Sequence, residues 1–180
     1  MLLEQIGVKF SIHESEYEED MLAMSNPYEL VKYLALKKAE EVSRYYKDAI
    51  IIGADTFIIF KNKFLGKPKS KKEAKRMLQS LSGKEHSVVT GFAVLDTKTG
   101  KAINDYDEAK VKFRKLDEKE INGYLKSDKA LDRAGAYGVQ DGSAVFIESI
   151  KGDYYSILGL PIGKIYLVLK KLEQHSSSLF

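Results

Sequence analysis

Apolar and polar positions recur along this chain with two different periods, and the switches between them divide it into elements. Leu2 to Ile6 reads as the last turns of a helix, with Gly7 as its stop. Val8 to His13 alternates as a strand, and the acidic loop Glu14 to Asp20 follows. Asn26-Pro27 then opens a long helix. Pro27 suits the first helical turn, Glu29 completes a capping box with Asn26, and Leu30, Val31, Leu34 and Val42 keep the helical period to about Tyr46.

Ala49 to Ile52 is a short continuous apolar run, the pattern of a strand buried on both faces, and it ends at Gly53-Ala54-Asp55-Thr56. Phe57 to Phe60 continues as a strand, and Lys61-Asn62-Lys63 turns. Ser70 with Glu73 forms a second capping box before a helix through Leu81. Val88 to Leu95 and Ala109 to Phe113 read as strands of a meander around the turn Thr97 to Gly100. Asp117 caps a short helix to Leu125, a glycine-rich segment from Ala134 to Gly142 precedes a strand from Ala144 to Ile150, and a last helix follows Pro161 to about Glu173. These elements predict one α/β domain over residues 1–174, a mixed twisted sheet flanked by helices, with a polar tail over 175–180.

Composition narrows the chemistry. At 180 residues with 44% hydrophobic and 31% charged positions, the chain is an ordinary globular domain. It contains no cysteine, which excludes disulfides, thiolate zinc sites and cysteine nucleophiles, and fits a cytoplasmic protein. No run approaches the roughly 20 apolar residues that cross a bilayer, so we expect no membrane partner. The net charge of +3 is spread over 29 basic and 26 acidic residues. The basic stretch Lys61 to Arg76 reads as a solvated helix face, and we expect no nucleic-acid partner.

Asp55 is the most informative position. A strand ending in Gly-Ala-Asp-Thr sets a carboxylate at the strand's carboxyl end, where α/β folds open their ligand crevices; capping a turn is the alternative. One or two residues of the acidic loop could meet Asp55 and hold a hard divalent cation, for which oxygen ligands favour magnesium or manganese. Lys67, between Gly66 and Pro68, has a fixed backbone and a free side chain that suits an anion. Lys37 and Lys38 are adjacent on a helix, so at most one faces a given cleft. Arg133 precedes small residues that allow close approach of a ligand. The segment Gly159 to Lys164 lacks the spacing of a phosphate loop, and Ile165 stands where that loop needs Ser or Thr.

The order of these blocks resembles the Maf family. Gly53-Ala54-Asp55-Thr56, Leu65-Gly66-Lys67-Pro68, Leu81-Ser82-Gly83 with His86-Ser87-Val88 and Thr90-Gly91, Asp132 to Gln140, Gly152 to Ser156 and Gly159-Leu160-Pro161 follow one another as they do in that family. The likeness covers Leu2 to about Leu172. It implies a Maf/ITPase-like fold with a central nucleotide cleft, and hydrolysis of nucleoside triphosphates to monophosphate and pyrophosphate with a divalent cation, Mg2+ or Mn2+. By position it implies Asp55 as proton acceptor and metal ligand, Glu18 as a second metal ligand, and Lys38 and Lys67 as neutralisers of the triphosphate. Thr56, Gln140 and Arg133 fall at substrate-binding positions, and the motif variants resemble the branch acting on the pyrimidine substrates dTTP and UTP. The family is commonly dimeric, so the resemblance also implies a homodimer.

Two departures accompany the likeness. Arg133 stands where the family commonly has lysine, and a planar fork does not always replace a point charge. The family also opens with a strand and a Ser-x-Ser-Pro-Arg-Arg loop, and neither precedes Met1 in this sequence. We therefore expect the first strand to be missing and the phosphate grip to be weakened. The alternative reading is a catalytically impaired nucleotide-binding or regulatory protein, since the family is also associated with inhibition of septum formation.

Overall fold

The computed structural model describes residues 2–173. The tail expected over 175–180 lies outside the described residues. The described residues form five α-helices: α1 (Pro27–Ser43), α2 (Lys71–Leu81), α3 (Glu118–Tyr124), α4 (Tyr154–Ile157) and α5 (Ile162–Glu173). The strands are β1 (Ile50–Phe60), β2 (Lys63–Leu65), β3 (Glu85–Asp96), β4 (Ala102–Phe113) and β5 (Ile147–Lys151), in one sheet of order β2-β1-β3-β4-β5. The described strands are antiparallel, so the mixed character expected of the sheet has no counterpart among them. No described helix is long and apolar enough to cross a membrane.

Several elements differ from the sequence reading. The two short strands expected on either side of Asp55 form one eleven-residue strand, β1. Val8 to His13 has no regular secondary structure, because no described strand lies alongside to complete a ladder. Leu3–Ile6 forms a 3-10 turn that ends on left-handed Gly7, as its sequence suggested. The strand expected from Ala144 begins only at Ile147, after a 3-10 turn over Gly142–Phe146. Neither of the two capping boxes expected, Asn26 with Glu29 and Ser70 with Glu73, is reciprocal, whereas Asp117, expected as a simple cap, forms a reciprocal box with Glu120 at α3. At α1, Asn26 caps Tyr28 and Glu29, while Glu29 itself pairs with Lys32 at 2.9 Å.

Within this fold, two compact units can be distinguished. The first comprises Met1–Asp55, Thr90–Asp107 and Gly159–Phe180, and the second comprises Thr56–Val89 and Glu108–Leu158. In the first, α1 buries Leu30, Val31, Leu34, Ala35, Ala39 and Val42. Two glycines let it lie directly on strand backbone. A Cβ at Gly53 would stand 2.4 Å from the Ala35 carbonyl oxygen, and one at Gly91 would stand 2.4 Å from that of Val31. α5 is fastened in the same unit by Lys164, whose ammonium donates to the Tyr106 carbonyl at 2.8 Å and pairs with Asp107 at 2.9 Å.

The second unit has its own core, in which Ile58, Leu78, Leu81, Val88, Val111, Phe113, Ile121 and Phe146 are buried together. His86 and Tyr137 lie within it, at 3% and 5% exposure, joined by a 2.7 Å hydrogen bond between His86 Nε2 and the Tyr137 hydroxyl. Burial lowers the His86 pKa to about 4 and holds that of Tyr137 well above its ordinary value. The imidazole is therefore neutral and the phenol protonated at physiological pH.

Two predictions follow from this packing. Gly53→Ala forces α1 off the strand, and overpacking of this kind costs about 1–3 kcal/mol. The loss is read as a lower urea midpoint at unchanged slope, and wild-type stability would mean that α1 does not rest on that backbone. For His86, the unfolded chain takes up a proton near pH 6.5 that the folded chain resists until about 4. Its contribution is thus complete above pH 6.5 and declines by about 1.4 kcal/mol per pH unit as the pH falls through that window, to a total of about 3 kcal/mol. Comparing the stability–pH curves of wild type and His86→Leu isolates the slope; parallel curves would rule it out.

Candidate active site

The first unit brings three charged side chains together. Asp55 is placed by β1, which emerges from the apolar run Ile50-Ile51-Ile52. Lys38 projects from α1, in the turn that Gly53 admits against the strand. Its ammonium lies 2.7 Å from Asp55 Oδ1 and 2.7 Å from Glu19 Oε1. The side chains of Lys38 and Asp55 are 22% and 12% exposed, while that of Glu19 is 41% exposed. The Lys38–Asp55 half of the bridge is therefore sheltered and the Glu19 half faces solvent. Burial alone would lower the Lys38 pKa, but the charge of Asp55 and the hydrogen bonds that Lys38 donates to Asp55 and Glu19 outweigh it, and the pKa rises. Adjacent Lys37 turns elsewhere, to Glu40 at 2.6 Å. Only one of the two lysines thus serves the cluster, as helical geometry requires.

Glu19 arrives from the irregular loop because that loop is tied to α1 and the residues that follow it. His13 Nδ1 lies 3.0 Å from the Tyr46 hydroxyl and its ring stacks on Tyr45. The Glu16 N–H donates to Glu41 Oε2 at 3.2 Å. Tyr17 is hydrogen-bonded to Tyr33, which, with burial, pushes its pKa up to about 12. Glu18, the second carboxylate expected, lies in the same loop beside Glu19. Glu18 is exposed, and Glu19 makes the ion pair with Lys38. In an irregular loop the side chains follow no period, so local spacing does not select among consecutive acids.

Beside this cluster a cleft of about 530 Å³ is lined by Val8 to Ser11, Lys38, Tyr46, Ile50 to Ala54 and Leu169, among others. It runs along the first half of β1, from Ile50 to Ala54.

The second unit gathers the other expected residues. Lys67 is exposed, next to buried Pro68, and the carbonyl of its neighbour Gly66 accepts the Gly135 N–H at 3.0 Å. Gln140 is exposed on the turn where the Asp141 N–H bonds the Gly138 carbonyl at 3.0 Å. Arg133 Nε donates to Asp141 Oδ2 at 3.2 Å, so the guanidinium is anchored at one edge, and Ser143 closes the loop on both backbone groups of Gly138. Thr56, half-buried, follows Asp55 directly on β1.

A hard divalent cation such as Mg2+ is commonly held by one or two carboxylates, with water and phosphate oxygens completing its shell. Asp55 and Glu19, already converging on one ammonium, supply a pair of that kind. No group of three or more His, Cys, Asp or Glu residues placed for a metal occurs among the described residues.

The profile of the Maf-like protein family matches residues 1–172, and the chain belongs to this family. It is 45% identical to the dTTP/UTP pyrophosphatase of Bacillus cereus strain AH187 over 170 residues, which cover 94% of this chain and 88% of that protein. The Bacillus anthracis protein of that name gives the same figures. The Bacillus cytotoxicus one is 43% identical over 176 residues, covering 98% and 91%.

The bridge makes a direct prediction. In Asp55→Asn, the burial that opposes the Lys38 charge loses its main compensation, and the lysine pKa falls below its wild-type position. Titration of 13C-methylated lysine by NMR reads the change, and an unmoved Lys38 resonance would mean that Asp55 does not control its charge.

Proposed function

We propose that this chain hydrolyses the pyrimidine nucleoside triphosphates dTTP and UTP to the nucleoside monophosphate and pyrophosphate. The observation that carries the reading is the sheltered Asp55–Lys38 pair with Glu19, in a chain about 45% identical to proteins named for this activity. A water oxygen forms a bond to a phosphorus of the α–β anhydride. The P–O bond joining the α and β groups breaks, pyrophosphate leaves, and Asp55 accepts a water proton. Lys38 and Lys67, with the free edge of Arg133, neutralise the charge that builds on the phosphate oxygens. Thr56 and Gln140 meet the base, where an amide that both donates and accepts suits the polar edge of a pyrimidine. Asp55, with Glu18 or its neighbour Glu19, would hold Mg2+ or Mn2+, which supplies charge neutralisation and activates water when bound.

The same proposal, following the family resemblance, has the chain acting on free nucleotides in the cytoplasm as a homodimer.

The test is turnover of dTTP, UTP, CTP and dATP with magnesium or manganese. We expect dTTP and UTP to be consumed fastest, and Asp55→Asn to lower kcat by at least about a hundredfold, the usual scale for a general base. A fully active Asp55→Asn protein would overturn the assigned role. Consumption of none of the four would overturn the activity and favour a nucleotide-binding or regulatory function.

A further inference from the structure

We propose that His86 and Tyr137 form a buried clamp that positions the Arg133–Asp141 loop, and that this clamp, without touching substrate, sharpens the choice of nucleobase. The inference rests on the reading of Gln140 and Arg133 as substrate contacts.

His86 lies near the start of β3, two residues before buried Val88, and it is 3% exposed. Its Nε2 meets the Tyr137 hydroxyl at 2.7 Å, and its Nδ1 is buried with no hydrogen-bond partner among the described residues. Both rings stand edge-on to Phe113, at centroid distances of 5.1 Å for His86 and 4.7 Å for Tyr137. Apolar residues of similar volume would fill this space without stranding a polar nitrogen. What they would lack is direction. A hydrogen bond between two rigid rings fixes where the Tyr137 backbone can lie, whereas apolar contact does not.

The segment held in this way needs fixing. Gly135 and Ala136, immediately before Tyr137, take φ of 63° and 67°. Alanine adopts the left-handed region only when its surroundings over-determine it. A Cβ at Gly135 would stand 2.5 Å from Ile58 Cδ1, so the turn cannot relax inward. The Gly135 N–H reaches the Gly66 carbonyl at 3.0 Å and so links this turn to the backbone that carries Lys67. Beyond Tyr137 the chain folds through Gly138 to Gln140, and the Arg133–Asp141 pair closes the loop across its base. Gln140 and Arg133 are exposed and unable to set their own positions by packing. The Tyr137 ring is the buried anchor between them, and its direction is set by His86. Small displacements of such groups lower discrimination more than they lower fold stability.

The experiment uses the whole chain and three variants: Tyr137→Phe, which removes only the hydroxyl, His86→Leu, which removes the partner, and His86→Gln, whose amide can restore a polar atom near Nε2. Two measurements are made on each. In steady-state kinetics, Tyr137→Phe and His86→Leu should lower the preference for UTP over CTP, as the ratio of kcat/KM, by roughly tenfold, the scale of one lost hydrogen bond. The change should fall on KM, with kcat for UTP within about threefold of wild type, and His86→Gln should recover part of the preference. In amide hydrogen exchange, the Gly135 and Gly138 N–H groups should exchange at least roughly tenfold faster in Tyr137→Phe, while those of Val89 and Val111 stay protected. An unchanged preference, or exchange accelerated equally in the core strands, would overturn the clamp. Failure of the wild-type chain to turn over any nucleotide would instead overturn the proposed activity, and the exchange measurement would still decide whether the loop is clamped.

Discussion

Two carboxylates converge on the Lys38 ammonium at 2.7 Å, and the first unit is arranged around that convergence. Asp55 is sheltered while Glu19 faces solvent, and both support the Lys38 charge against the burial that opposes it. Each partner depends on a different part of the fold. Asp55 is set by a strand, Lys38 by a helix that rests on glycine backbone, and Glu19 by a loop held to α1 through tyrosine and glutamate contacts. Because burial opposes the lysine charge while the carboxylates restore it, displacing any of the three would disturb the other two.

The second unit solves a different problem. Of its proposed substrate contacts, Lys67, Arg133 and Gln140 are exposed, so their placement rests on backbone rather than on packing of the side chains themselves. The Gly66–Gly135 hydrogen bond, the Arg133–Asp141 pair and the Ser143 contacts to Gly138 tie two loops into one surface. A buried polar pair, His86 with Tyr137, stands directly beneath it. Rigid support below and adaptable polar groups above is the arrangement expected where a site must discriminate between similar bases.

Much of this was legible from the amino-acid sequence, and the exceptions have physical causes. Helical periodicity with Asn26-Pro27 located α1, and the apolar run into Gly53 marked the strand that carries Asp55, because both signals are local. The strand expected over Val8 to His13 did not form, since alternation describes a face to be buried but cannot supply the neighbouring strand. Which acid of the loop pairs with Lys38 was not legible, because residues of an irregular loop have no period to read. His86 lies ahead of the strand expected from Val88, its partner is 51 positions away, and nothing in local spacing pairs them. The departure at Arg133 gains a structural counterpart in Asp141, eight residues on, which anchors one edge of the guanidinium.

The account stands or falls on which bond this site breaks. Following dTTP with magnesium by 31P NMR resolves the products directly. Cleavage between the α and β phosphates predicts dTMP and pyrophosphate accumulating in equal amounts, with no dTDP and no inorganic phosphate. Formation of dTDP with phosphate, or an unchanged dTTP spectrum, would contradict it.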